Sequence, residues 1–156
     1  LTRNEWKFVA AFERDLAPGL PPVAAAGYEC GQLLVNLIVN AAQAIGEERK
    51  RTGSTELGQI TVKTRRIGTT VTIEVADDGP GMTDDIRARI FDPFFTTKEV
   101  GKGTGQELSM VHSTIVQKHE GTIEVYSEPG VGTTFVIGMP ASHAGSDEEP
   151  SARRKR

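Results

Sequence analysis

The sequence predicts an α+β fold in one domain, and two observations carry this prediction. Residues 32–45 contain no glycine or proline and are apolar around a narrow polar stripe, which predicts a buried helix from about Tyr28 to Arg51. Two later segments alternate β-branched and polar residues on either side of a glycine-containing turn, which predicts two β-hairpins. A length of 156 residues suits a single domain with a sizeable core.

The composition is that of a globular protein and argues against several classes of function. A net charge of −3 argues against a general nucleic-acid binder. The single cysteine, Cys30, excludes an internal disulfide and favours a reducing compartment. No apolar run has membrane-spanning length, so we expect a cytoplasmic domain that does not contact the membrane. Because the chain begins with Leu1, we interpret it as a piece of a longer protein, whose other segments can still carry a membrane anchor.

The first half of the chain predicts a strand, the long helix and a hairpin. Alternation in residues 5–14 predicts a strand with one buried face, and prolines after it predict a loop. Residues 60–64 and 71–75 predict an antiparallel hairpin that turns near Gly68. The second strand leads into Asp-Asp-Gly-Pro-Gly-Met, after which Thr83 is expected to cap a short helix.

The second half predicts a mobile loop, a helix and a second hairpin. An aromatic cluster precedes residues 96–105, which are glycine-rich and predict a mobile loop. Residues 106–118 predict an amphipathic helix whose apolar side includes Val116, and residues 122–126 and 134–137 predict the final hairpin. The charged, patternless end predicts a domain over residues 1–141 and a disordered tail over residues 142–156.

The polar stripe of the long helix is the first candidate site. At about 100° per residue, its side chains share an arc of roughly 80°. They are Gln32, Asn36, Asn40, Gln43 and Glu47. Most are amides, and a buried unpaired amide costs roughly 1–3 kcal/mol, so the stripe is expected to face a ligand. Asn36 and Asn40 lie one turn apart and carry neutral oxygens that suit Mg²⁺ shared with phosphates. A core helix whose amides bond to nearby loops is the alternative.

Two glycine-containing segments are further candidates. Asp77 ends a predicted strand, where its carboxylate can accept a hydrogen bond from the six-amino group of adenine, and Gly79 and Gly81 let a flat ring approach. A tight turn that binds nothing is the alternative. Residues 101–105 match neither a P-loop nor a dinucleotide fingerprint, but they lead into a helix N-terminus that can bind phosphate. A flexible linker is the alternative there.

Taken together, five segments resemble the N, G1, F, G2 and G3 boxes of sensor histidine kinases. In chain order they are Asn-Leu-Ile-Val-Asn-Ala, Asp-Asp-Gly-Pro-Gly-Met, Phe-Asp-Pro-Phe-Phe-Thr-Thr-Lys, Gly-Lys-Gly-Thr-Gly and Gly-Thr-Thr-Phe. The resemblance covers roughly residues 5–140. It implies the Bergerat ATP-binding fold shared with DNA gyrase, the ninety-kilodalton heat-shock chaperone and mismatch-repair ATPases. That fold is a two-layer α/β sandwich, with a mixed, mostly antiparallel sheet packed against three main helices and a mobile ATP lid.

The resemblance also implies ATP and Mg²⁺ as cofactors and gives roles to individual residues. Asn36 and Asn40 would hold Mg²⁺, Asp77 would bind the adenine amine, and Thr133 would support Asp77. The lid would hinge at Phe91, Phe94 and Phe95. The other nucleotide contacts that it implies are Gln43, Gly79, Gly81, Met82, Lys98, Lys102, Gly103, Thr104, Gly105 and Leu108.

Kinase and hydrolase differ at one position of the long helix. Related ATPases place a general-base Glu where this chain has Asn36, which cannot take a proton, so a kinase is favoured. Gln32 stands where such kinases have a residue that helps to activate the acceptor histidine, so Gln32 and Asn36 are the catalytic candidates. That acceptor is expected on a separate dimerisation and histidine-phosphotransfer domain, with a response regulator receiver domain downstream. The fragment alone is expected to be inactive.

Three residues depart from the family pattern. Gln106 and Glu107 stand where Leu and Gly are usual, and Glu120 stands where Gly is usual. The first two fall where phosphates should bind. They leave open a degenerate nucleotide-binding scaffold, beside the alternative of an ATPase of the same fold.

Overall fold

The computed structural model describes residues 8–98 and 103–142, and these form one sheet with helices against it. The elements in chain order are β1 (Ala10–Leu16), α1 (Gly27–Thr52), β2 (Gly58–Ile67), β3 (Thr70–Asp77), α2 (Asp84–Arg87), α3 (Glu107–Ser113), a π-helical continuation of α3 (Thr114–Lys118), β4 (Thr122–Glu128) and β5 (Gly132–Pro140). Within these ranges no helix is long and apolar enough to cross a membrane.

The sheet is mixed and mostly antiparallel, as predicted. Its strand order is β1-β2-β3-β5-β4. Strand β1 runs parallel to β2, because α1 carries the chain back between them, and the other neighbouring pairs are antiparallel. Both predicted hairpins are present, β2 with β3 and β4 with β5. The second hairpin inserts β5 beside β3, and this brings the ends of β3 and β5 together.

The core lies between one face of the sheet and the helices. Buried side chains of α1 and α3 pack against alternate residues of β3 and β5. The fully buried members include Leu37, Val75, Val111, Ile115 and Met139. A smaller cluster joins Ala41, Ala42 and Ile45 of α1 to Ala10 and Ile60 at the other side of the sheet. The predicted two-layer α+β architecture is therefore confirmed.

Three predicted details differ from the structure. The first strand begins later than expected, since Ala10 is buried but Phe8 is 75% exposed and residues 5–7 lie outside the described part. Helix α1 is not buried all round: Val35 is 52% exposed because sheet and helices cover only the opposite face. Val116 is 38% exposed although the adjacent Ile115 is fully buried, and both lie in the π-helical continuation of α3, in which the His119 N–H bonds to the Thr114 carbonyl.

The short helix α2 and the end of the sheet follow the sequence closely. Thr83 caps α2, as predicted, and its hydroxyl accepts from the Ile86 N–H at 3.5 Å. The chain stays paired just beyond β5, where the Ser142 N–H donates to the Pro22 carbonyl at 2.8 Å. Ser142, the first residue of the predicted disordered tail, is thus described and hydrogen-bonded, while the rest of that tail, residues 143–156, lies outside the described residues, as does the central part of the predicted mobile loop, residues 99–102.

Candidate functional site

A cavity of about 210 Å³ lies between α1, the ends of β3 and β5, and the segment after Phe95. Predicted site residues that line it are Asn40, Asp77, Gly81, Met82, Lys98, Gly105, Leu108 and Thr133. The predicted residues Gln32, Asn36, Gln43, Gly79, Phe94, Gly103 and Thr104 are not in this lining, and Lys102 lies outside the described residues. The fold thus gathers side chains from four distant segments around one space.

Asp77 is the last residue of β3 and faces this cavity. Burial raises the pKa of its carboxyl to about 6. The Gly79 N–H opposes that rise by donating to Asp77 Oδ1 at 2.9 Å, while the nearby charge of Asp78 adds to it. The backbone N–H of Thr133 lowers this pKa as well, more weakly. A carboxylate that has lost most of its water is a strong acceptor for any donor that enters the cavity.

The two glycines after Asp77 are required by the protein itself. A Cβ on Gly79 would lie 2.7 Å from Asp77 Oδ1, so a side chain there would displace the carboxylate. Gly81 has a φ of +66°, and a Cβ on it would lie 2.0 Å from the Glu128 carbonyl oxygen. The sequence prediction explained both glycines by the approach of a ring. The structure adds a packing reason at each, and Gly81 also lines the cavity.

Thr133 supports the site in a way that the sequence did not specify. It is 8% exposed and sits opposite Asp77 in the β3–β5 register. Its hydroxyl pairs with Ser127 Oγ at 2.9 Å, and Ser127 Oγ also accepts from the Met82 N–H at 2.9 Å. Ser127 therefore ties the segment after Asp77 to the β4–β5 hairpin. Its place directly opposite Thr133 is the signal that could have found it, once the hairpin register was counted.

At the other end of the cavity, α1 meets the segment that follows Phe95. The Lys98 ammonium donates to Gln43 Oε1 and, at 3.4 Å, to Asn40 Oδ1. Asn36 behaves differently, because its Oδ1 accepts from Gln32 Nε2 at 3.0 Å on the more exposed part of α1. The amide stripe is thus divided into an outer pair bonded to each other and an inner pair bonded to a lysine.

Glu107 also lines the cavity, at the first turn of α3. The pKa of its carboxyl is lowered, first by its own backbone N–H, against the raising effect of burial. The Thr104 hydroxyl and the positive charge of Lys98 lower it further. A negative charge is therefore stabilised where phosphates were expected. The other unusual residue, Gln106, is exposed and its N–H donates to Thr104 Oγ1 at 3.3 Å.

The three phenylalanines of the aromatic cluster have different surroundings. Phe91 packs beside His112, with ring centroids 4.9 Å apart, and Phe95 lines the cavity beneath the Arg89 guanidinium at 4.4 Å. Phe94 is 71% exposed with a φ of +66°, and its N–H donates to the Gly105 carbonyl at 2.9 Å. Two of these rings are anchored, and one is held out in a backbone conformation that costs energy.

Several lining residues were not candidates in the sequence. They are Ala41, Ala44, Pro80, Ile86, Ile90, Thr96, Thr97 and Phe135. Ala41 and Ala44 lie close to the polar stripe of α1, Ile86 lies in α2, and Ile90 lies in the turn that follows α2. The aliphatic and aromatic members of this set predicted only burial from the sequence, and the way the fold brings the elements together makes them walls of a cavity.

A comparison with known families identifies the family to which the part of the chain around this cavity is similar. The family model of the histidine kinase-, DNA gyrase B- and HSP90-like ATPases matches residues 28–143. That range runs from the start of α1 past the end of β5 and contains every lining residue of the cavity. The chain belongs to this family.

Two relatives with clear sequence similarity to this chain are sensor kinases. The chain is 40% identical to sensor kinase CckA of Brucella abortus (strain 2308) and 39% to sensor histidine kinase ZraS of Escherichia coli (strain K12), over 91% and 83% of its length. It spans only 16% and 25% of those proteins.

The solved structures confirm the fold as that of a histidine kinase catalytic domain. The catalytic domain of histidine kinase ThkA matches with a TM-score of 0.70 and 29% identity, over 86% of this chain and 82% of that domain. Full-length ShkA in complex with AMPPNP matches with a TM-score of 0.70 and 28% identity, over 90% of this chain and 27% of ShkA.

Proposed function

We propose that this chain is the catalytic domain of a sensor histidine kinase, which binds ATP and donates its γ-phosphate to a histidine on a separate dimerisation domain. A response regulator receiver domain would take the phosphate next in the two-component pathway. The observation that carries the proposal is the arrangement of the cavity. Its lining holds a desolvated carboxylate, Asp77, and a lysine, Lys98, whose ammonium pairs with the amide oxygen of Asn40 in the lining and with that of Gln43 just outside it.

The Asp77 end suits adenine. The carboxylate faces an apolar space walled by Met82, Ile90 and Phe95, into which a flat aromatic base fits. The adenine amine would donate to Asp77, whereas guanine would present a carbonyl that the carboxylate repels. Selectivity for ATP over GTP would therefore follow from one desolvated acceptor.

The Lys98 end suits phosphates and Mg²⁺. Asn40 Oδ1 and Gln43 Oε1 already converge on a cation, the Lys98 ammonium, and neutral oxygens of this type are ligands that Mg²⁺ accepts beside water and phosphate. When bound, Mg²⁺ would neutralise phosphate charge. Among the candidate ligands, the inner pair fits this role best, while the metal-binding role of Asn36 stays a prediction.

Gln32 and Asn36 would act on the acceptor instead. They lie on the more exposed part of α1, outside the cavity lining, where a histidine from another domain can approach. Neither side chain can act as a base for water, which favours phosphotransfer over hydrolysis. Both amides would orient the acceptor or the transferred group.

Glu107 favours a second candidate, a domain of reduced nucleotide affinity that serves as a scaffold. Its carboxylate lines the cavity, and at an effective dielectric near 20 a like charge a few Å away costs on the order of 2–4 kcal/mol. The two candidates differ in affinity and turnover, so one set of experiments separates them.

Calorimetric titration with ATP, ADP and GTP in the presence of Mg²⁺ tests the binding proposal. We expect ATP and ADP to bind and GTP to bind far more weakly. Labelled ATP is then supplied with and without the dimerisation domain of the same parent protein. Acid-labile phosphate on that domain supports the kinase, binding without transfer supports the scaffold, and phosphate release without any acceptor supports an ATPase. Equal affinity for ATP and GTP would contradict the role of Asp77.

A further inference from the structure

We infer that the Lys98 ammonium occupies the divalent-cation position of the nucleotide-free protein, so that a metal ion can take the inner amide pair only after Lys98 has left it. The inner amide pair is Asn40 and Gln43. This inference rests on the proposed function, because it assigns that pair to the metal ion. It makes Lys98 a positioning residue that decides when the metal site becomes available.

The first support is the convergence of two helix oxygens on one ammonium. Asn40 and Gln43 lie on the same side of α1, and their side-chain oxygens accept from Lys98 Nζ, which comes from a segment 58 and 55 residues further along the chain. Half-buried amide oxygens need a donor, and the ammonium offers three. The contact is therefore a specific pairing across the cavity.

The second support is that the Lys98 stem is held as well as its head. A Cβ on Gly103 would lie 2.9 Å from Lys98 Cδ, so the stem fits closely against the backbone there. The Lys98 N–H donates to Thr96 Oγ1 at 3.1 Å, which fixes the backbone from which the stem starts. With both ends guided, the ammonium is directed at α1 instead of solvent.

The third support is the charge of the cavity. Its described lining contains the carboxylates of Glu47, Asp77 and Glu107, and Lys98 is the basic side chain among them. The positive charge of Lys98 helps to lower the pKa of Glu107, so the two groups interact. Lys98 thus supplies the positive charge that a metal ion would otherwise bring to this surface.

A lysine and a divalent cation cannot share these two oxygens. Each oxygen is neutral, so it cannot screen the repulsion between two cations a few Å apart. Metal alone would have to displace Lys98 without offering it a new partner. A nucleotide changes this balance, because its phosphates give Lys98 an anionic partner. Metal binding is therefore expected to depend on nucleotide in this protein.

The test uses Mn²⁺ alone and no nucleotide. Mn²⁺ is titrated into the ¹⁵N-labelled protein, and paramagnetic broadening of the Asn40 and Gln43 side-chain amide signals reports binding at the inner amide pair. In Lys98→Met, which keeps an unbranched stem but no charge, we expect half-broadening at a Mn²⁺ concentration roughly tenfold or more below that of the unmodified protein. Lys98→Gln gives an independent version of the change and should act in the same direction.

Two controls separate this effect from net charge and from damage to the fold. Lys118→Met removes a lysine that pairs with Glu29 away from the cavity, and it should leave the Mn²⁺ midpoint unchanged. Lys98→Arg keeps a cation at the site and should also behave like the unmodified protein. Adding Gln43→Leu to Lys98→Met should abolish the gain. Backbone amide spectra check that each variant is folded.

The Mn²⁺ midpoints of these variants decide whether Lys98 occupies the metal position. The inference is overturned when Lys98→Met has the same midpoint as the unmodified protein, or when Lys118→Met shifts it equally. Separate ATP titrations keep the proposed function distinct. If the Mn²⁺ midpoint shifts in Lys98→Met but the protein fails to bind ATP, the position of Lys98 is supported and nucleotide binding is refuted. If the protein binds ATP but the Mn²⁺ midpoint does not shift, only the inference about Lys98 is refuted.

Discussion

Replacing Asp77 by Asn should stabilise the nucleotide-free fold and weaken the binding of ATP. The ordinary pKa of this carboxyl is 3.8, and burial raises it to about 6 in the fold. Because the folded pKa is raised, the contribution of Asp77 to stability is fully present below pH 3.8 and is lost as pH rises through about 6. At neutral pH the ionised side chain therefore destabilises the fold, and about two pKa units correspond to roughly 3 kcal/mol.

Asn should recover part of this free energy. Its carbonyl can still accept from the Gly79 N–H, whereas its new amino group needs a partner at a cost of about 1 kcal/mol. The net gain in unfolding free energy at pH 7 is then about 1–2 kcal/mol, or about 2–8 °C in Tm for a domain of this size. Near pH 4 most of the gain should disappear, because Asp77 is then protonated in the folded chain and remains partly ionised only in the unfolded chain.

Thermal unfolding followed by circular dichroism at pH 7 and pH 4 measures this gain, and calorimetry with ATP measures the loss of affinity. Asp77→Asn should weaken ATP binding by roughly 1.5–3 kcal/mol, the scale of a hydrogen bond to a charged group. Asp92→Asn, which removes an exposed carboxylate near Arg89, is the matched control and should change neither quantity by much. A variant that is no more stable at pH 7, or whose gain is the same at both pH values, would refute the reasoning.

Three further predictions address the cavity and its supports. The double substitution Gln106→Leu with Glu107→Gly should tighten ATP binding at least tenfold, or about 1.4 kcal/mol, with little change in Tm. Calorimetry that gives an unchanged Kd would show that Glu107 does not oppose the phosphates. Gly81→Ala should lower the free energy of unfolding by at least about 3 kcal/mol, because its Cβ would meet the Glu128 carbonyl oxygen at 2.0 Å. A loss below about 1 kcal/mol in urea unfolding would contradict this packing. The isolated chain should gain no acid-labile phosphate from labelled ATP, whereas an added dimerisation domain should, and labelling of the chain alone would contradict the proposed trans reaction.

Local signals in the sequence were enough for most of the elements. The long helix and both hairpins depend on periodicity and turn residues, which act between near neighbours, and all of them are present. The Thr83 cap and the position of Asp77 at the end of β3 are equally local. The five boxes, in their order, then indicated the family. Each box can be found from the sequence because its residues lie within a few positions of one another.

The predicted element boundaries and side-chain exposures that were wrong depend on neighbours that are distant in the sequence. The apolar character of Val35 and Val116 could not reveal that both stay partly exposed among the described residues, since burial depends on where the sheet and the other helices lie. Alternation near the start of the chain indicated a strand but not its register, which is set by the parallel pairing of β1 with β2.

The amino-acid sequence by itself determined the family, the main elements and the chemical character of the site, because these depend on residue types and short spacings. Only the tertiary structure decided which polar groups meet. Asn40 and Lys98 are 58 residues apart in the chain, and Ser127 reaches Thr133 through a hairpin register. Glu107 at the start of α3 lines the same cavity as Asp77 at the end of β3, although the two residues lie in separate elements of the chain. Side-chain partners across a fold follow from the packing of whole elements, and no local pattern encodes that packing.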